Sequence, residues 1–160
     1  MWLGNLSAVQ TYNWPLIQNR SGDSIESLVA TLLRREYTDA RRLNPSQGDG
    51  GIDIARSTPD GDEIWQVKGF TTAMTDGQVK RSWERFVQQH VTPGRRLIVR
   101  YHLVTPWSPT EERIAKFTAL TSGAAFPCQW DSDAFLAGLA DRYPETMLRV
   151  THGEGALAPF

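Results

Sequence analysis

The chemical reading of this 160-residue chain turns on Asp53, Gln66 and Lys68. Asp53 follows a glycine-rich approach, Gly48-Asp49-Gly50-Gly51-Ile52, and a Pro59-Asp60-Gly61 turn separates it from the run Glu63 to Phe70. In a strand, side chains alternate, so Ile64, Gln66 and Lys68 share one face and Trp65 and Val67 the other. Gln66 and Lys68 then stand about 6–7 Å apart. A buried strand does not carry both an amide and an ammonium without partners, because each costs free energy when desolvated alone. The chemistry that fits is phosphodiester chemistry at a hard cation. Asp53 would ligate Mg²⁺, and the Gln66 side-chain oxygen and the Val67 carbonyl could add neutral ligands. Lys68 could lower the pKa of an attacking water, orient it, or stabilise charge on a phosphate. One carboxylate is thin for such a site. Asp49 and Glu26 are the nearest additional acids, and strand register decides whether Asp53 reaches the same face.

The elements that must position these residues can be read from periodicity. Ile25, Leu28, Val29, Leu32 and Leu33 make one apolar stripe, which predicts a helix over 24–37 with Asp23 as its cap. A short strand follows over 41–43, then strands over 52–57 and 63–70 joined by the hairpin turn. A second helix spans 77–91, with Val79, Trp83, Phe86 and Val87 buried. Its polar, partly basic face carries Lys80, Arg81 and Arg85. Residues 97–105 read as a central strand. Ser108-Pro109-Thr110-Glu111 reads as a capping box opening a third helix that buries Ile114 and Phe117. A strand over 125–130, a fourth helix capped by Asp131, and a short apolar element at Met147, Leu148 and Val150 complete the order. Interleaved strands and helices predict an α/β domain with a mixed sheet flanked by helices. An irregular arm over 1–22, a domain over 23–152 and a flexible tail over 153–160 are expected.

Composition bounds the rest. The net charge of −1 means that attraction for a polyanion must come from local clusters. These are Arg34, Arg35, Arg41 and Arg42; Lys80, Arg81 and Arg85; and Arg95, Arg96 and Arg100. A single cysteine, Cys128, excludes a disulfide framework and a multi-cysteine zinc site. His90, His102 and His152 show no ligand spacing, and His90 and His102 read as structural. No stretch approaches the ~18 apolar residues of a membrane span, and the N-terminus lacks a signal pattern, so a cytoplasmic protein is expected. The glycines lack the Gly-x-x-x-x-Gly-Lys-Ser/Thr pattern of a nucleotide loop.

Glu26-Ser27-Leu28-Val29-Ala30, then Gly48-Asp49-Gly50-Gly51-Ile52-Asp53, then Gln66-Val67-Lys68 resemble the nuclease domain of Mrr-type restriction endonucleases, a branch of the PD-(D/E)xK superfamily. The resemblance covers about residues 23 to 105. It implies a restriction-endonuclease-like mixed sheet, Asp53 as principal metal ligand and Lys68 as catalytic lysine. Gln66 takes the place where most of the superfamily has an acid, and Glu26 becomes the supplementary acid of this branch. The implied activity is a Mg²⁺-dependent endonuclease, with Mn²⁺ as a substitute, acting on double-stranded DNA. Similar domains serve as effectors in bacterial antiphage or restriction systems, so a second copy of the chain, or a sensor or regulatory subunit, is an expected partner.

Blander readings stand beside these. Asp53 could cap a turn, and Glu26 could be the capping partner of Asp23. Asp49 is expected to order the glycine loop or to hold a water behind the metal. Basic helix faces are often only solvated, although the face with Lys80, Arg81 and Arg85 follows directly on Lys68 and is the best candidate for phosphate contacts. The alternative functions are a catalytically weak nucleic-acid-binding or assembly module with the same fold, and a nuclease for RNA or branched DNA.

Overall fold

The computed structural model describes residues 22–43, 53–69, 74–94 and 96–147. The expected arm up to residue 21, the glycine approach with Asp49, the tail from 153, and Leu148 and Val150 lie outside the described residues.

Helix α1 (Gly22–Glu36) buries the stripe that defines it. Ile25, Leu28, Val29, Leu32 and Leu33 are each at most 1% exposed. Full burial of such side chains stabilises by roughly 1.5–3 kcal/mol each. The other helices are α2 (Asp76–Phe86), α3 (Glu111–Thr121) and α4 (Asp133–Arg142). Strands β1 (Arg41–Arg42), β2 (Ile54–Thr58), β3 (Gly61–Val67), β4 (Ile98–Val104) and β5 (Cys128–Asp131) lie in that spatial order in one sheet. The pairings β1–β2 and β2–β3 are antiparallel, and β3–β4 and β4–β5 are parallel. Each parallel step needs a crossover, which α2 and then α3 supply. The expected mixed α/β architecture, a sheet flanked by helices, is the one the chain adopts.

The two sheet faces carry separate cores. Ile54, Trp65, Val67 and Val104 pack under α1 and α4, while Ala55, Ile64, Tyr101 and Leu103 pack under α2 and α3. The alternation along β3 is therefore realised, with Ile64 and Trp65 on opposite faces.

Several local expectations are corrected. Helix α1 begins at Gly22, so Asp23 lies in its first turn and Glu26 falls past the third helical position that a capping partner requires. Helix α2 is capped by Thr75, whose hydroxyl accepts from Gln78 N while the Gln78 side chain accepts from Thr75 N. Its continuation, Val87–Val91, widens into a π-helical turn closed by Thr92 N donating to Val87 O at 2.8 Å. The cap of α3 is Thr110, not Ser108, whose hydroxyl instead bonds Asp133. Ile114 is 42% exposed, because Phe117 and Thr121 take the inward stripe of α3. Asp131 does not cap α4. It ends β5, Ser132 holds the cap position, and the Asp131 carboxylate is engaged by His102 and Gln129. Cys128 is half-buried, and burial pushes its thiol up to about 11.

The hairpin turn depends on one glycine. Gly61 has φ 137°, and a Cβ there would sit 2.6 Å from the Leu97 carbonyl oxygen. A charged network also crosses the strands. His102 lies between Asp131 Oδ2 at 2.7 Å and Glu63 Oε2 at 2.6 Å, and stacks on Trp65. Glu63 also accepts from Arg56, which pairs with Asp39. Burial opposes the charged imidazole of His102, but the bonds to Asp131 and Glu63 outweigh it and hold its pKa above the ordinary value.

Gly61→Ala combines a strained φ with a backbone clash and is expected to destabilise by about 1–3 kcal/mol, read from denaturant unfolding. The raised His102 pKa has a definite sign. Its contribution to stability is complete below the ordinary imidazole value and is lost as pH rises through the higher folded value. Unfolding of the wild type from pH 6 to 9 should show that loss, and His102→Gln should flatten it. A wild-type curve of the same shape as the variant's would contradict the assignment.

Candidate active site

Backbone pairing brings the three predicted residues together. Asp53 stands just before β2, with its N–H donating to Trp65 O at 3.1 Å and its carbonyl accepting from Leu43 N at 2.8 Å. Because Ile54 pairs with Trp65, Asp53 comes opposite Gln66. Its carboxylate then closes the corner: Oδ2 accepts the Val67 N–H at 2.7 Å. β3 ends at Val67, so Lys68 lies one residue beyond the strand rather than within it. The Lys68 N–H still donates to Val104 O at 2.9 Å, which extends the β3–β4 pairing to the lysine.

Gln66 is 1% exposed, and its Oε1 accepts the Tyr101 hydroxyl. Burial keeps Tyr101 protonated well above the ordinary phenol range, so it remains a donor. Tyr101 was missed by sequence reasoning. It looks like a core aromatic of a central strand, and only the β3–β4 pairing places it beside Gln66.

Glu26 of α1 is within electrostatic reach of Asp53. Burial raises the Asp53 pKa first, the Val67 N–H lowers it, Glu26 raises it, and Lys68 and Arg42 lower it, with a result of about 6. Glu26 also accepts from Arg42 Nε at 3.3 Å, while Arg42 Nη1 donates to Ser27 Oγ at 2.6 Å. The first basic cluster is therefore divided. Arg42 belongs to the carboxylate corner, whereas Arg35, in the last turn of α1, pairs with Glu145. The third cluster also disperses, with Arg96 on Asp62 and Arg100 on Gln129.

A groove of about 530 Å³ has Gln66 and Lys68 in its lining, whereas Asp53 and Glu26 are not among the residues that line it. One wall is α2 and its π-helical extension, presenting Gln78, Arg81, Arg85 and Gln88, with Glu84 as the acidic member. Spacing of three and four residues puts these on one stripe. Lys80 lies about 100° round the helix from Arg81 and lines a different hollow, so the structure separates it from the two arginines.

The donors present fit a hard divalent cation. Asp53, Glu26, the Gln66 amide oxygen and the Val67 carbonyl are all oxygen donors, and a cation beside them would relieve the strain of two nearby carboxylates. Among the described residues no three His, Cys, Asp or Glu side chains cluster as a metal cage. Asp49 lies outside the described residues. No helix among the described residues is long and apolar enough to cross a membrane. The chain has no significant match among protein-family models, curated proteins or solved structures.

A carboxyl raised from 3.8 to about 6 weakens the fold when it ionises. The sign follows directly: Asp53 is least unfavourable below its unfolded value, and stability is lost as pH rises through about 6. In chelator, Asp53→Asn is expected to stabilise the protein at pH 8 by up to about 3 kcal/mol and to leave it nearly unchanged at pH 4. Denaturant unfolding at the two pH values checks this, and a destabilised variant at pH 8 would refute it.

Proposed function

We propose that this chain is a Mg²⁺-dependent endonuclease that hydrolyses DNA phosphodiester bonds, of the Mrr-type, PD-(D/E)xK kind, working in the cytoplasm as an antiphage or restriction effector. The observation that carries the reading is that Asp53 is fixed against Val67 and opposite Gln66, while Gln66 and Lys68 line a groove that Arg81 and Arg85 also line. Fold alone would not license it, since folds host many functions.

Arg81 and Arg85 would receive the phosphate backbone, which gives register without reading sequence. Lys68, held at the groove by its own backbone bond to Val104, would orient the attacking water and offset negative charge as one P–O bond forms and the bond to the leaving sugar oxygen breaks. Asp53 and Glu26, with the Gln66 oxygen and the Val67 carbonyl, would hold the cation. When bound, Mg²⁺ (or Mn²⁺) supplies Lewis acidity to the phosphoryl oxygen and a lower pKa for a bound water. The Val67 N–H fixes the Asp53 carboxylate, and the Tyr101 hydroxyl fixes the Gln66 amide, so neither needs to reorganise during the reaction. A second copy or a regulatory subunit would be needed to cut both strands at one place.

A second reading has an observation of its own. Glu26 is already paired with Arg42, and Gln66 brings no charge, which favours a nucleic-acid-binding or assembly module of low activity. RNA or branched DNA would be an alternative substrate for the same groove.

The test is plasmid cleavage with Mg²⁺ or Mn²⁺, with and without EDTA. Lys68→Ala is expected to lower the rate at least about 10²-fold, and Asp53→Asn to abolish metal-dependent cleavage. Equal cleavage by all three proteins would sink the proposal. Salt-dependent DNA binding with no turnover under either metal would select the binding module.

A further inference from the structure

We propose a second site, independent of the nuclease reading, between α2 and α3: a pocket for a small aromatic ligand that carries a phosphate. The hollow holds about 180 Å³. That is below the range of drug-sized sites and suits one ring system with its anionic group at the mouth. It opens on the flank of α2 that carries Lys80, away from Arg81 and Arg85 of the catalytic groove.

Its chemistry is asymmetric. Lys80, Arg113 and Lys116 line it, and Asp76 is the carboxylate among them. Asp76 accepts from Arg113 Nε at 3.1 Å and Lys116 Nζ at 3.0 Å. Glu112 reaches Lys116 at 3.4 Å from an exposed position. That leaves donors over. Arg113 and Lys116 share the one lining carboxylate, and Lys80 has no ion pair among the described residues. The Arg113 guanidinium lies over Trp107, 5.7 Å from its ring centroid. Three cations against one lining carboxylate leave an excess of positive charge, so the group the hollow favours is an acceptor with negative charge. A phosphate supplies several acceptor oxygens at once.

The remaining wall is apolar. Phe117 and Trp130 stand edge to face with centroids 5.6 Å apart, and both line the hollow. Trp130 is fixed by its Nε1 donating to Thr105 Oγ1 at 2.9 Å. A solvated ion-pair cluster would not need an aromatic floor, whereas a ring bound against Phe117 and Trp130 would use it. A nucleoside monophosphate has both parts at the right scale.

The experiment is calorimetric titration of the full chain with AMP, adenosine and inorganic phosphate, in chelator. AMP is expected to bind saturably, at least about tenfold tighter than either fragment. The Lys80→Ala/Lys116→Ala double variant should bind AMP at least about tenfold more weakly at an unchanged melting temperature, and Lys80→Ala alone by a smaller factor. The Lys68→Ala protein should bind AMP as the wild type does. No AMP binding by the wild type, or undiminished binding by the lysine variants, overturns the site. Loss of AMP binding in Lys68→Ala assigns the ligand to the catalytic groove and overturns it too. Phosphate binding as tight as AMP removes the aromatic part of the proposal. The cleavage assay has no bearing on these outcomes, so failure of one reading does not entail failure of the other.

Discussion

The hydrogen bond from the Val67 N–H to Asp53 Oδ2, at 2.7 Å, is the constraint on which the candidate site depends. It ties the residue before β2 to the last residue of β3. A one-residue slip between two strands turns every side chain to the other face. With Ile54 against Trp65, the slip is excluded by burial, since both belong to the core under α1 and α4. The hydrophobic effect sets the register, and the register sets the carboxylate.

That arrangement puts the fold and the site in tension. Asp53 is mostly withdrawn from water and stands near Glu26, and its ionised form is unfavourable for both reasons. Lys68, Arg42 and the Val67 N–H offset only part of this. Carboxylates held in this way are common at sites that bind cations or move protons. Structural ion pairs produce similar shifts, however, and the His102 network on the same sheet is an example of one that lines no groove over Lys68.

Helix α2 serves two surfaces. One stripe, with Arg81 and Arg85, walls the groove over Lys68, and Trp83 and Phe86 on another anchor it to the sheet. Lys80, on a third flank, turns toward α3. A cluster contiguous in sequence is thus divided by the helical period of 3.6 residues.

The sequence by itself determined the elements and the central trio. The stripe of α1, the alternation of β3 and the Pro59-Asp60-Gly61 turn are local patterns, and local patterns report periodicity directly. It also marked Asp53, Gln66 and Lys68, because unpartnered polar residues on a core strand are conspicuous. What it could not determine was partnership. Asp131 looked like a helix cap until His102, 29 residues away, claimed its carboxylate. Arg42 looked like a phosphate contact until α1 presented Glu26 to it. Tyr101 looked like core until pairing set it against Gln66. Each depends on strand pairing and helix packing between distant segments, which composition and spacing do not encode. The tertiary structure alone decided that Asp53, through its bond to Val67, stands at the same edge as Lys68.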